Sequence, residues 1–419
     1  MKILAQSESE LASYSKYQLG NGLTVIVAQR PHTRSFAMCM QVNAGMGNGG
    51  PHVAHLVEHL AMADMTTLST RTDFLNAFTC FSKTRFHIGA HLDELQSGLK
   101  LMKHVMSPLQ VDKRRVKNEI EILARAFLEA GKANLILNRE HNRVLGGDKL
   151  ARRMKKAMSR QRLSISADEA IAFHETYYQP ANTVIAIVAP SDPGFLVDRV
   201  SETLGDIENS AGEAPETWSA RLAQPRRRFH CIPYVGVSTI CLWHKMLQCD
   251  FTDRVTLSFL NLILGESGRL FEELRTKNSL CYGVYSSLEF VDGTAWHLSF
   301  VNVACTKARH AARLLNEVTQ STTEPMSEKD FQDNIQATIQ RIELIEEDKL
   351  RLVETLLNWN NSDSTLITPH DLRKATLELT SEQVASIARR FFSGENRHVL
   401  LIGGFGPLGF LTAKRLSTK

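Results

Sequence analysis

Apolar residues recur along this chain with two different periods, and stretches of each alternate from one end to the other. A period of two marks a half-buried strand, and Thr84-Arg85-Phe86-His87-Ile88-Gly89-Ala90 shows it. Denser β-branched and apolar runs at 22–27, 36–42, 183–188, 237–243 and 399–402 predict further strands, with a strand pair around 282–302. A period near 3.6 marks amphipathic helices. Over 112–127 it aligns Val116, Ile120, Leu123 and Phe127 in one stripe. Helices are also expected over 167–178, 254–264 and 381–392, and over 51–63, where Pro51 suits a first turn after two glycines.

The order of these elements repeats. His174-Glu175-Thr176-Tyr177-Tyr178 ends a helix and leads into a strand, and Ala388-Arg389-Arg390-Phe391-Phe392 does the same near the end. The chain therefore reads as one unit used twice. The fold class is α+β, with two homologous domains, each a mostly antiparallel sheet packed against helices. The polar stretch at 208–216, containing Gly and Pro, reads as the linker, placing the domains at 1–210 and 225–419.

Composition narrows the setting more than the chemistry. The chain has 419 residues, 43% hydrophobic and 22% charged, which gives ample core for two domains. No apolar run approaches the roughly 20 residues of a membrane span, so no membrane role is expected. The first ten residues turn polar and acidic too early for a secretory signal, and lack the Arg-rich look of a mitochondrial one. Seven cysteines, without a Cys-x-x-Cys pair, suit reduced thiols and a cytoplasmic setting. A net charge of +4 is mild, and Arg226-Arg227-Arg228 is too short to imply nucleic acid.

Candidate chemistry lies in His55-Leu56-Val57-Glu58-His59. At about 100° per residue, His55 and His59 stand one turn apart on one helix face, where two imidazoles can converge on one ion. Glu58 is roughly 60° round from His55, placed to take a proton from water at the metal. A catalytic zinc needs a third protein ligand. Glu119 borders the apolar stripe of the 112–127 helix, whereas Glu121 points among the basic residues. Glu119 is thus the better ligand candidate, though a boundary glutamate paired with lysine fits its periodicity equally well. His52 either crowds or substitutes at the site or is a surface histidine at the helix start, the last being expected. His87 and His104 read as structural residues without partners.

His-x-x-Glu-His followed by Val116-Lys117-Asn118-Glu119 resembles the pitrilysin-type inverzincins, the family of insulin-degrading enzyme and mitochondrial processing peptidase. The resemblance implies that His55, His59 and Glu119 bind one zinc ion per chain and that Glu58 is the general base. Asp112, seven residues before Glu119, stands where the family often has another acidic residue. Leu75-Asn76-Ala77-Phe78-Thr79 resembles a segment leading into the family's edge strand, which implies that Asn76 and Ala77 meet substrate backbone. Leu270-Phe271-Glu272-Glu273-Leu274-Arg275 and Leu280-Cys281-Tyr282-Gly283-Val284 resemble its second-half motif. There Arg275 would hold substrate and Tyr282 would steady the oxyanion.

The implied activity is that of a zinc metalloendopeptidase acting on extended peptides, the competing class being a non-catalytic subunit of the same fold. Long family members join four such domains, so this chain is expected to pair with a second one, as a homodimer or with a metal-less homologue. One departure is a segment shorter than usual after the motif, around 65–71. It leaves the rim of the site, and hence the substrate, unspecified.

Overall fold

The computed structural model describes residues 1–9, 12–49, 52–68, 72–109, 111, 113–129, 131–159, 165–209, 227–231, 236–265, 267–291, 293–360 and 365–403. Pro51, Asp112, Arg226, residues 69–71 and most of the 208–216 linker lie outside them. The helices used below are α1 (Val53–Leu68), α2 (Leu95–Met106), α3 (Lys113–Glu129), α4 (Ala167–Tyr177), α5 (Pro193–Leu204), α6 (Phe251–Leu264), α7 (Lys349–Trp359) and α8 (Ser381–Phe391).

The residues group into two compact units that are not continuous in the chain. The first holds Met1–Phe127, Arg152–Trp218 and Arg341–Leu372; the second holds Leu128–Ala151, Ser219–Gln340 and Arg373–Lys419. A single cut in the linker does not anticipate this exchange of segments.

The first unit is built on seven strands: β1 (Lys2–Glu8), β2 (Ser13–Gln18), β3 (Thr24–Gln29), β4 (Ser35–Val42), β5 (Thr72–Thr79), β6 (Thr84–His91) and β7 (Thr183–Ala189). Their order is β1-β2-β3-β7-β4-β6-β5, with only β3 and β7 parallel. Alternation sends successive side chains to opposite faces. Phe36, Met38, Met40 and Val42 of β4 join Leu56, Val57 and Leu60 of α1 and Leu99 and Met102 of α2 in one core. Ala37 and Cys39, between them, face Leu352, Val353, Leu356 and Leu357 of α7. Burial on both faces explains why β4 and β7 read as near-continuous apolar runs rather than alternating ones.

The second unit has β8 (Arg227–Cys231), β9 (Val237–Met246), β10 (Val284–Val291), β11 (Thr294–Ala304) and β12 (Arg397–Gly403), ordered β10-β11-β9-β12-β8. Only β8 and β12 run parallel. Read from the opposite edge, β8-β12-β9-β11-β10 repeats β3-β7-β4-β6-β5 strand for strand and direction for direction. The first unit adds β1 and β2 outside that shared set. The α+β class and the doubled unit expected from the sequence are the architecture observed.

Helix starts follow local chemistry. α4 opens on a reciprocal capping box between Ser166 and Glu169, and α8 on the same device between Thr380 and Gln383. Asp192 caps α5, where Pro193 takes the first turn, and Asp250 caps α6.

Candidate metal centre

α1 follows β4 and lies against β5, with Leu56, Val57 and Leu60 fully buried. Their burial fixes the rotation of the helix. His55 and His59 fall on its half-buried flank, their rings edge-to-face with centroids 4.8 Å apart. Glu58 lies beside His55 and inward, only 6% exposed, with Oε2 4.0 Å from His55 Nε2. One donor atom from each of these three side chains lies within 4.8 Å of the others.

α3 brings the fourth group. Val116 and Leu123 are buried in the first unit's core, and Arg115 donates through Nη2 to the Leu60 carbonyl at 2.7 Å, fastening α3 to α1. Glu119 then meets His59, Oε2 to Nδ1 at 3.1 Å. The partner of Glu119 is thus a histidine of the motif and not a lysine. Glu121 is exposed on another face of α3.

The electrostatics suit a cation. Burial, helped by neighbouring His59, lowers His55 to about 4, so its imidazole is neutral near pH 7, the form that ligates metal. Burial raises Glu58, opposed by a hydrogen bond from the Thr79 hydroxyl, 2.7 Å from Oε2. Two imidazoles and a carboxylate are a zinc-class donor set. Tetrahedral bonds of about 2.0–2.2 Å place donors roughly 3.4 Å apart, so the 3.1 Å contact between His59 and Glu119 needs little adjustment.

Three histidines differ from their sequence reading. His52 is buried, 5% exposed, and lowered to about 4 by burial and by His55, so it is not a surface residue. His87 is not without a partner. Its Nε2 pairs with the Glu354 carboxylate of α7, which also holds Arg85, and its ring stacks on Phe78 with centroids 5.1 Å apart. His104 interacts electrostatically with His174.

Asn76 and Ala77 lie within β5, the edge strand itself. Asn76 is exposed, and its Oδ1 accepts the Ala77 N–H at 3.0 Å. In the second unit, Tyr282 is 87% exposed and the Arg275 guanidinium stacks 5.2 Å from its ring centroid. Arg275 also donates to the Cys281 carbonyl at 3.1 Å. Sequence reasoning gave no role to Thr79, although it closes the quoted Leu75–Thr79 stretch, and none to Glu354, whose partners lie far back in the chain.

The family described as Peptidase M16 inactive domain matches residues 164–338. A relative from Mycobacterium leprae (strain TN), named uncharacterized zinc protease ML0855, is 26% identical over 74% of this chain and 74% of its own length. Both findings place the chain in likeness to the M16, pitrilysin-type peptidases. The fold of this chain matches that of a protease from Helicobacter pylori at a TM-score of 0.79 and 17% identity, covering 94% of this chain and 100% of that one. It also matches a chain of complex III2 from Candida albicans at 0.77 and 12% identity, covering 96% and 99%. The matched family segment begins after Glu119, so the word "inactive" in its description does not touch the residues of the metal centre.

Proposed function

We propose that this chain is a zinc metalloendopeptidase acting on extended peptides. The observations that carry the reading are the clustering of His55, Glu58 and His59 on one helix and the contact of Glu119, from a second helix, with His59. His55, His59 and Glu119 would hold zinc, which when bound supplies Lewis-acid activation of water and of the scissile carbonyl. Glu58 takes the proton from the attacking water and delivers it to the leaving amine. Its burial supports the first transfer, because a carboxyl whose pKa is raised accepts a proton more readily.

The substrate would add as a strand to β5, its backbone replacing the Asn76 side chain at the Ala77 N–H. Arg275 would grip the substrate and Tyr282, largely solvated, would donate its hydroxyl to the developing oxyanion. The chain would work with a second chain of the same fold, its own copy or a metal-less homologue. Separate, unbridged cysteines among the described residues support a cytoplasmic setting.

A second reading, a non-catalytic subunit, draws support from the fold shared with the complex III2 chain. Metal analysis separates the two. Purified wild type should carry about one zinc per chain and cleave a mixed peptide library, alone or with a homologous partner. Glu119→Ala should lose metal, and Glu58→Gln should keep it. A wild type that binds no zinc, or binds it while leaving every peptide intact in both settings, favours the subunit reading.

A further inference from the structure

Thr79, the last residue of β5, donates its hydroxyl to Glu58 Oε2 in a hydrogen bond of 2.7 Å. Behind it, Thr84 Oγ1 lies 3.5 Å from Thr79 Oγ1 and donates to the Ala44 carbonyl at 2.9 Å. A hydroxyl carries one proton. That of Thr84 is committed to Ala44 and that of Thr79 to Glu58, so none lies between the two oxygens. The pair is an anchor and not a proton relay. Thr84 is fully buried and paired in register with Thr79, which restricts the rotamer from which Thr79 reaches the carboxylate.

The position of Thr79 along β5 gives this contact further meaning. Leu75 and Ala77 pack against the core that contains α1, and Thr79 follows on the same face by alternation. The strand whose edge would receive the peptide at Asn76 and Ala77 therefore also grips the carboxylate that would deprotonate water. One rigid element would set both reacting partners.

Resting on the peptidase reading above, we propose that Thr79 is a positioning residue for the general base, aligning the Glu58 carboxylate with the substrate strand through its hydroxyl. The bond engages one oxygen and leaves the lone pairs of the other to receive the proton. Valine has the same shape and no donor, so Thr79→Val frees the carboxylate without opening a cavity. A small misplacement of a reacting group is enough to slow catalysis.

The test uses the full chain and a quenched decapeptide library, comparing wild type with Glu58→Gln, Thr79→Val and Thr79→Ser. Loss of a hydrogen bond to a charged group predicts that kcat falls about ten- to a hundredfold in Thr79→Val. KM should stay within about threefold of wild type, because the lost interaction acts in the reaction step. Metal content and melting temperature should match wild type. Thr79→Ser, which restores the donor, should recover most of the rate. A wild-type kcat in Thr79→Val beside an inactive Glu58→Gln overturns the proposal and leaves the peptidase reading standing. Equal losses in the valine and serine variants, or a loss explained by missing metal or a lowered melting temperature, also overturn it. A wild type that cuts nothing either alone or with a homologous partner, or a Glu58→Gln that cuts as well, removes the peptidase reading and this inference with it.

Discussion

The two units share five strands in one order, and in each the strand at the centre (β4 or β9) is followed by a helix that packs beside the edge strand. Only the helices differ in chemistry. α1 presents His55, Glu58 and His59 on one flank, and its Glu58 accepts a hydrogen bond from Thr79 of β5. α6 buries Val255, Thr256, Leu257, Phe259, Leu260, Ile263 and Leu264, and its Asn261 accepts a hydrogen bond from Ser286 of β10 at 2.8 Å. Both helices are thus tied to their edge strand by a hydroxyl. Where the acceptor is a carboxylate beside imidazoles the tie can serve proton transfer; where it is an amide, which does not titrate, it can only hold. The fold tolerates either, so the candidate chemistry resides in a few side chains and not in the architecture.

The largest expected effect is at the acceptor that differs. Glu58→Gln turns the α1 tie into the α6 kind, and peptide cleavage should fall about 10²–10⁴-fold with metal retained, as loss of a general base predicts. Activity that survives this change, measured by peptide mass spectrometry, would end the contrast between the helices.

Next comes the exchange of segments. Leu356 is fully buried against the first unit's sheet although it lies late in the chain. Leu356→Ala should cost about 2–5 kcal/mol. Hydrogen exchange should locate the loosening in β3, β4 and β7; loosening confined to the second unit would place α7 wrongly.

A smaller effect is expected at Glu140 of the second unit, which is buried among Arg139, Arg143, Arg228 and His230. Burial works to raise its pKa, but the His230 hydrogen bond and the three guanidinium charges outweigh it and hold the carboxyl at about 2. A pKa below the ordinary carboxylate value stabilises the fold above about pH 4.5, and the contribution fades as pH falls towards 2. Partial solvation of the arginines tempers it. Glu140→Gln should therefore cost on the order of 2 kcal/mol in urea titrations at pH 7, with the gap narrowing below pH 4.5. A gap that is constant with pH would mean Glu140 packs without pairing.

The smallest effect is at Asn261. Asn261→Ala removes a neutral hydrogen bond worth about 1 kcal/mol and should leave kcat within about twofold. A larger fall in kcat would give α6 a part in the reaction.

Much of this was legible in the sequence because it rests on short-range pattern. Strand alternation, the α3 stripe and the His55–His59 spacing all follow from local periodicity, and the repeated order of elements revealed the doubled unit. Contacts made across long separations were not legible. Glu354 reaches Arg85 and His87 from a helix some 270 residues later, and nothing in the pattern around it distinguishes a clamp from a solvated glutamate. Periodicity also left Glu119 undecided between a metal ligand and a boundary glutamate paired with lysine, because it gives the direction of a side chain but not what lies opposite. His52 was misplaced for a related reason: it precedes the regular helix, and its burial comes from the surrounding fold.

The Asn76 side chain already covers the Ala77 N–H on the exposed edge of β5. An uncovered edge invites other chains to pair with it, and a built-in cover that swings aside removes that hazard between encounters. On the peptidase reading, each arriving peptide swaps places with an amide of the enzyme, so docking exchanges one hydrogen bond for another. Grip on any single residue stays slight, and cleaved fragments can depart while the cover closes behind them.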